Sequence, residues 1–216
     1  MKRFLHQLYA PIALVACLII GCGETEYPDA TSIPTIEIPS DASDALKTEL
    51  EAFSSESPLT RAKAVRDISA MGEDSSVALP CLVAMLEDPD VQVRAAAAES
   101  LGEIGVPDAV DPLVEVMEGR DEDWSVRARA ARSLGKLGDA KAVDPLIASL
   151  NDMTVPVREM SVIALGEIGD PAAREALEKV ARLDSDLETR YEAEEALGKL
   201  APNPSPENRE PSDTSP

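Results

Sequence analysis

Aromatic side chains are nearly absent from this chain, with one Trp, three Tyr and two Phe among 216 residues. A core without large rings suits helices packed closely side by side through Ala, Leu, Val and Ile, and it argues against a β-sandwich. Histidine is scarcer still. The single one, His6, lies in the first ten residues, so Ser-His-Asp and Cys-His catalysis have no base and Cys/His zinc sites lack ligands. Three cysteines, Cys17, Cys22 and Cys81, do not make a disulfide framework. Basic residues are outnumbered 20 to 41 by acids, for a formal net charge of −21. Such a chain is repelled by nucleic acid and by anionic lipid surfaces, because neutralising phosphates needs clustered Lys and Arg. No EF-hand-like loop stands out among the acids to hold calcium, and no metal or other cofactor is expected.

What is present falls into five segments. Met1-Lys2-Arg3 is a basic start, followed by an apolar run from Leu8 to Ile20. That run is too short to span a bilayer comfortably as a helix, and it reads as an export signal over 1–21. Its end, Leu18-Ile19-Ile20-Gly21-Cys22, resembles the lipobox of bacterial lipoproteins. The resemblance implies cleavage after Gly21 and lipidation of Cys22, with Ile19 where Leu is commonest. Gly23 is not the Asp that this family associates with inner-membrane retention, so the outer membrane is favoured where two membranes exist. Cleavage would remove His6 and Cys17 and leave Cys81 as the one unmodified thiol. Residues 22–39 mix Pro, Thr, Ser and acids without helical period and read as a flexible tether. Residues 202–216, rich in Pro and polar side chains, read as a disordered tail.

Between these tails, five arginines mark an internal repeat: Arg61, Arg94, Arg127, Arg158 and Arg190 are spaced 33, 33, 31 and 32 residues apart. A period of that length indicates stacked supersecondary units. Seven residues after each arginine come Ile68, Leu101, Leu134, Leu165 and Leu197, and ten after come Met71, Ile104, Leu137, Ile168 and Leu200. Four residues before each stand Ser57, Asp90, Asp123, Thr154 and Asp186, side chains suited to capping a helix start. Gly72, Gly105, Gly138 and Gly169 follow as helix terminators, with Ala201 breaking the series. Each unit therefore opens with a helix of about fourteen residues. A second helix follows in the first four units, with Asp108, Asp139 and Asp170 as expected caps and Pro112 and Pro145 in the first turn. Leu46, Leu50 and Phe53 predict a capping helix within 40–56. At the other end, Glu188, Glu192 and Glu195 are expected to solvate the outer side of a terminal helix that closes an array over 57–201.

Units such as Val93-Arg94-Ala95-Ala96-Ala97-Ala98-Glu99-Ser100-Leu101-Gly102-Glu103-Ile104-Gly105 resemble the short HEAT-like repeats first associated with phycobilisome lyases. Val126 to Gly138 and Val157 to Gly169 repeat the theme, and the signatures of ankyrin and tetratricopeptide arrays are absent. The resemblance implies an all-α, right-handed α-solenoid of four to five helical hairpins. It also implies a ladder in which Asp of one unit pairs with Arg of a neighbour. Asp88, Asp121, Asp152 and Asp184 each lie six residues before an arginine, and only the first, Arg61, is expected to lack this partner.

The expected site is the face of the second helices, which lines the concave side in HEAT-like folds. Asp111, Asp144 and Glu175 share one position there, and Glu115 and Lys179 share another with Ala148. An acidic stripe of this kind suits a basic peptide or protein, and a merely solvated face is the competing reading. Trp124 stands in a column with Pro58, Val91, Val155 and Leu187, which predicts a partly buried contact between repeats rather than a hot spot. Cys81 aligns with Leu113, Leu146 and Leu177, which predicts a core thiol.

Three functional classes follow: a lipid-anchored extracytoplasmic protein-binding scaffold without catalysis, a lyase-like or chromophore-chaperone protein, and a passive envelope spacer. The scaffold leads, because an export signal precedes a chain with no histidine. The lipobox reading makes one prediction of its own: wild-type protein fractionates with membranes, and Cys22→Ala releases it. A variant that stays membrane-bound contradicts the lipid anchor.

Overall fold

The computed structural model describes residues 33–120 and 123–200. The signal segment, Cys22, Asp121 and the tail from 201 onward lie outside those residues. Among the described residues there are eleven α-helices and no strand. Helix α1 (Asp44–Glu51) ends in a 3-10 turn and buries Leu46, Leu50 and Phe53, as the amphipathic spacing predicts.

The first helices of the five units are α2 (Pro58–Ser69), α5 (Val91–Ile104), α7 (Trp124–Leu137), α9 (Val155–Ile168) and α11 (Leu187–Lys199). All five expected residues occupy the N-cap. The side chains of Ser57, Asp90, Asp123 and Asp186 accept from backbone amides of the first turn, while Thr154 makes no such bond. Its hydroxyl donates instead to Asp152, at 2.6 Å. Gly105, Gly138 and Gly169 end α5, α7 and α9 at φ 75°, 68° and 73°, the left-handed turn that exposes no Cβ penalty. Helix α2 stops earlier, with Ala70 as its C-cap, and Gly72 opens the next helix instead.

The second helices are less regular. In the first unit the element is broken into α3 (Glu73–Val77) and α4 (Leu79–Ala84), with Pro80 in the first turn of α4. In the next three units a 3-10 turn precedes α6 (Val110–Glu115), α8 (Val143–Ser149) and α10 (Arg174–Leu183). Asp139 and Asp170 cap those turns, but Asp108 does not: it sits inside its turn, and Val106 holds the cap position. Val106-Pro107 takes the place of Asp139-Ala140 in the sequence, which shifts Asp108 to the position of Lys141.

Small residues bring the first helices into backbone contact. A Cβ added to Gly102 would lie 2.7 Å from Ser133 Cα, one on Gly135 would lie 2.7 Å from Ala164 Cα, and one on Gly166 would lie 2.9 Å from Ala196 Cα. The Ser133 hydroxyl donates across the same contact to the Ala98 carbonyl at 2.8 Å, and Ser100 donates to Val65 O at 3.3 Å. Fully buried Ala97, Ala98, Ala130, Ala131 and Ala164 fill the seam. The composition poor in rings is thus matched by a packing that has no room for them.

The arginine columns tie the units together, in the opposite sense to the upstream spacing. Arg61 forms a two-point pair with Asp88 of the following unit, at 2.7 Å through both Nε and Nη2. Arg127 pairs with Asp152 at 3.0 and 3.3 Å, and Arg158 with Asp184 at 2.8 Å through both contacts. So Arg61 does not lack a partner; it is the most buried of these pairs, with side chains 2 % and 0 % exposed. No aspartate loop follows Arg190 among the described residues, and Asp121, which follows Arg94, lies outside them. The upstream residue contributes its backbone: Nη1 of Arg61, Arg94 and Arg158 donates to the carbonyls of Ser55, Asp88 and Asp152, at 2.8, 2.7 and 3.1 Å. Each aspartate also accepts from an amide two residues on, at 2.8 to 2.9 Å.

Thermal melts of point variants test this account. Asp88→Ala strands the buried Arg61 guanidinium and is expected to cost about 3–5 kcal/mol. Gly135→Ala, forced against the Ala164 backbone, costs about 1–3 kcal/mol. Gly198→Ala, where a Cβ meets nothing within 4 Å, stabilises by about 0.5–1 kcal/mol. Equal effects at the two glycines contradict the packing.

Candidate functional site

The second helices present the expected side chains to solvent. In α6 the buried Val110 and Leu113 anchor one side, and Asp111 and Glu115, four residues apart, stand on the exposed side. Val143 and Leu146 of α8, and Leu177 and Val180 of α10, anchor those helices in the same way. Asp144, Glu175 and Lys179 are correspondingly exposed. Sequence reasoning missed one element of this face. Lys141, from the 3-10 turn before α8, reaches back to Asp111 of the preceding unit at 3.3 Å. Both side chains are more than two thirds exposed, so the pair adds little stability, but it halves the bare negative charge at that end of the stripe. No ion pair among the described residues involves Asp144 or Glu175.

Trp124, the first residue of α7, is 47 % exposed and so partly buried, as its column predicts. Val91 and Val155 of the same column are half-buried as well, while Pro58 and Leu187 are exposed. Cys81 is buried as expected, and its thiol faces the Glu37 carbonyl at 3.6 Å. Burial pushes its pKa up, away from nucleophilic thiolate character. That contact also shows that the segment read as tether is docked where it meets the first unit: Ile36 packs partly buried against the core.

The electrostatics of the ladder are structural. The hydrogen bond from Arg158 holds the Asp184 carboxyl below the usual range, against the effect of burial. Burial works to raise Asp152, but hydrogen bonds from Thr154 and the charge of Arg127 bring it below the ordinary value. Glu159 on α9 goes the other way. Burial first, then the charges of Glu192, Glu188 and Asp186, raise its pKa. A shallow groove lies beside Ile33, Glu56, Pro58, Arg61, Pro89 and Asp90. Its one cation, Arg61, is spent on Asp88, so the groove offers no anion site. Among the described residues no group of three or more His, Cys, Asp or Glu is arranged to hold a metal ion. Nor is any helix there long and apolar enough to cross a membrane.

A family model for HEAT repeats matches residues 43–120 and 117–198. The chain belongs to the HEAT repeat family. Among solved structures, a chain from the complex of CpcE and CpcF of phycocyanin lyase from Nostoc sp. PCC7120 is similar at 24 % identity and TM-score 0.60, over 70 % of this chain and 97 % of that one. An engineered protein is similar at 22 % identity and TM-score 0.56, over 73 % of this chain and 79 % of that one. At these identities the likeness is one of fold. No protein of curated function matches. The all-α solenoid of HEAT hairpins that the resemblance implies is therefore the fold of this HEAT repeat protein.

Glu159 generates a pH prediction. Its folded pKa lies above its unfolded one, so its ionisation opposes folding: the penalty sets in as pH rises through the unfolded value and persists above the folded one. Glu159→Gln is expected to raise the melting temperature at pH 7, with the gain vanishing below about pH 4. A gain independent of pH, or none at pH 7, contradicts the assignment.

Proposed function

We propose that this HEAT repeat protein is a protein-binding scaffold, anchored outside the cytoplasm by lipid on Cys22, that performs no catalysis itself. The observation that carries the reading is the exposed row of equivalent carboxylates on successive second helices. Asp111, Asp144 and Glu175, flanked by Glu115 and Lys179, repeat at the period of the array. A row held on stacked helices is rigid before binding, which lowers the ordering cost of capturing a partner. Its charge favours a basic protein or peptide and speeds encounter at low salt. HEAT repeats as a class supply extended surfaces of this kind. The lipobox, with Gly23 after Cys22, supports placement in a bacterial envelope, at the outer membrane where there are two.

A second reading is favoured by one observation: the fold is shared with a chain of the phycocyanin lyase complex. A lyase-like or chromophore-chaperone role predicts a visible absorbance band on protein purified from its source. The third reading, a passive spacer, predicts no stoichiometric partner at all.

Cross-linking in living cells, followed by purification of the anchored protein, separates these readings. The scaffold predicts a stoichiometric partner that is lost when Asp111 and Asp144 are both replaced by Lys. A partner retained by that variant contradicts the acidic face, and no partner in wild type points to the spacer.

A further inference from the structure

We propose that the outward face of α11 is a second docking site, one that accepts a basic α-helix of another protein as though it were the next repeat. The inference rests on the scaffold reading and names a site and partner chemistry which that reading does not contain. It follows from the register of the array. Each first helix receives its successor beside the positions one, four and eight residues after its arginine, with the position five residues after it at the rim. In α5 these are Ala95, Ala98, Glu99 and Gly102, and in α7 they are Ala128, Ala131, Arg132 and Gly135. The alanines there are buried, and the glycines lie against the backbone of the next helix.

In α11 the same four positions hold Tyr191, Glu194, Glu195 and Gly198, and all four are exposed. Leu187, one turn before Tyr191 on that face, is 71 % exposed, and Tyr191 is 56 % exposed. Gly198 keeps the docking glycine of α5, α7 and α9, although nothing among the described residues approaches the place its Cβ would occupy. Gly198 lies in the last turn of α11, as Gly102, Gly135 and Gly166 lie in the last turns of their helices, and there the glycine admits the next helix. The expected solvating face of Glu188, Glu192 and Glu195 is therefore incomplete: apolar surface and a glycine seat lie among the acids.

The occupant's chemistry follows from the internal contact that α11 reproduces. Where α7 docks on α5, Arg129 reaches Glu99 at 3.0 Å and Ser133 sits on Gly102. Glu195 and Gly198 stand at the positions of Glu99 and Gly102. An incoming helix therefore needs Arg or Lys at the place of Arg129 and a small residue at the place of Ser133. A second copy of this chain meets only the first of those terms, because Lys63 of α2 stands at the place of Arg129 but no small residue stands at the place of Ser133. Face-to-face pairing of two α11 helices opposes Glu188, Glu194 and Glu195 to themselves. Head-to-tail stacking brings Asp67 of α2 onto Gly198, because Asp67 occupies the position of Ser133. Like charges and a charged side chain at a seat for small residues both disfavour self-association.

The chain's own α7 provides a probe with the required pattern. A fluorescently labelled peptide of residues 123–138, carrying Arg127, Arg129, Arg132, Lys136 and Ser133, is titrated with the full chain by anisotropy. Saturable binding is expected, weakening with salt. Gly198→Trp and Glu195→Arg are each expected to weaken it at least about tenfold, a difference of about 1.4 kcal/mol, while their circular dichroism and melts stay near wild type. Arg129→Glu in the peptide restores binding to the Glu195→Arg chain. If Gly198→Trp proves unstable, the charge swap decides. Absent binding, binding indifferent to both substitutions, or a dimer of the chain that Gly198→Trp abolishes each overturns the proposal. A cross-linked partner that survives Gly198→Trp but not replacement of Asp111 and Asp144 leaves the scaffold standing and removes this site.

Discussion

The paired arginine and aspartate, seen at three corners among the described residues, is the constraint from which the rest of the array follows. One guanidinium does three things at once. It grips the backbone carbonyl of its own entry loop, reaches the carboxylate of the next unit's loop, and thereby sets the distance between them. The carboxylate in turn fixes the loop that holds the next N-cap, through the amide two residues on. Charge-assisted, two-point hydrogen bonds supply geometric definition that apolar contact between smooth alanine faces does not. With the corners fixed, the first helices approach through glycine, alanine and serine, close enough for Ser133 to hydrogen-bond the facing backbone. Satisfying polar groups at the corners makes the dry, ringless seam possible, and burying the Arg61–Asp88 pair would be costly without the extra bonds each partner makes.

A solenoid built this way uses its polar pairs for assembly and leaves its surfaces for recognition. The ladder consumes the arginines that a sequence reader would otherwise offer to an anionic ligand. What remains exposed is acidic on the second helices and mixed, apolar with acidic, at the end of α11. The two proposed docking surfaces lie on different helices, and each is proposed to take a basic partner.

Much of this was legible in the sequence, because the repeat puts five copies of each structural decision side by side. The N-caps, the terminating glycines at 105, 138 and 169, the apolar columns and the buried Cys81 all follow from alignment by the arginine. The direction of the ladder did not follow. An aspartate six residues upstream is near in sequence, but the folded loop turns that carboxylate toward the preceding unit's arginine, and only the backbone carbonyl faces its own. Tyr191 was hidden for another reason. A column records what type of residue a position takes but not whether a neighbour covers it, and Tyr191 lies on the last first helix of the array. The departures themselves carried the signal: Ala62, Ala95 and Ala128 give way to Glu159 and then Tyr191 at one position. The groups of the candidate face were all named from sequence, except Lys141, whose reach across units depends on the stacking.

The most direct test of the ladder as the organising constraint is a double-mutant cycle at Arg158 and Asp184, measured by equilibrium urea unfolding. Asp184→Asn keeps an acceptor for the loop amide while removing the charge, and Arg158→Met keeps the aliphatic stem. The account predicts a coupling energy of about 1–3 kcal/mol, with each single variant losing more than half of what the double loses. Additive losses, with no coupling between the two positions, would show that the units are held by apolar packing alone and would contradict the central role given to the corner pairs.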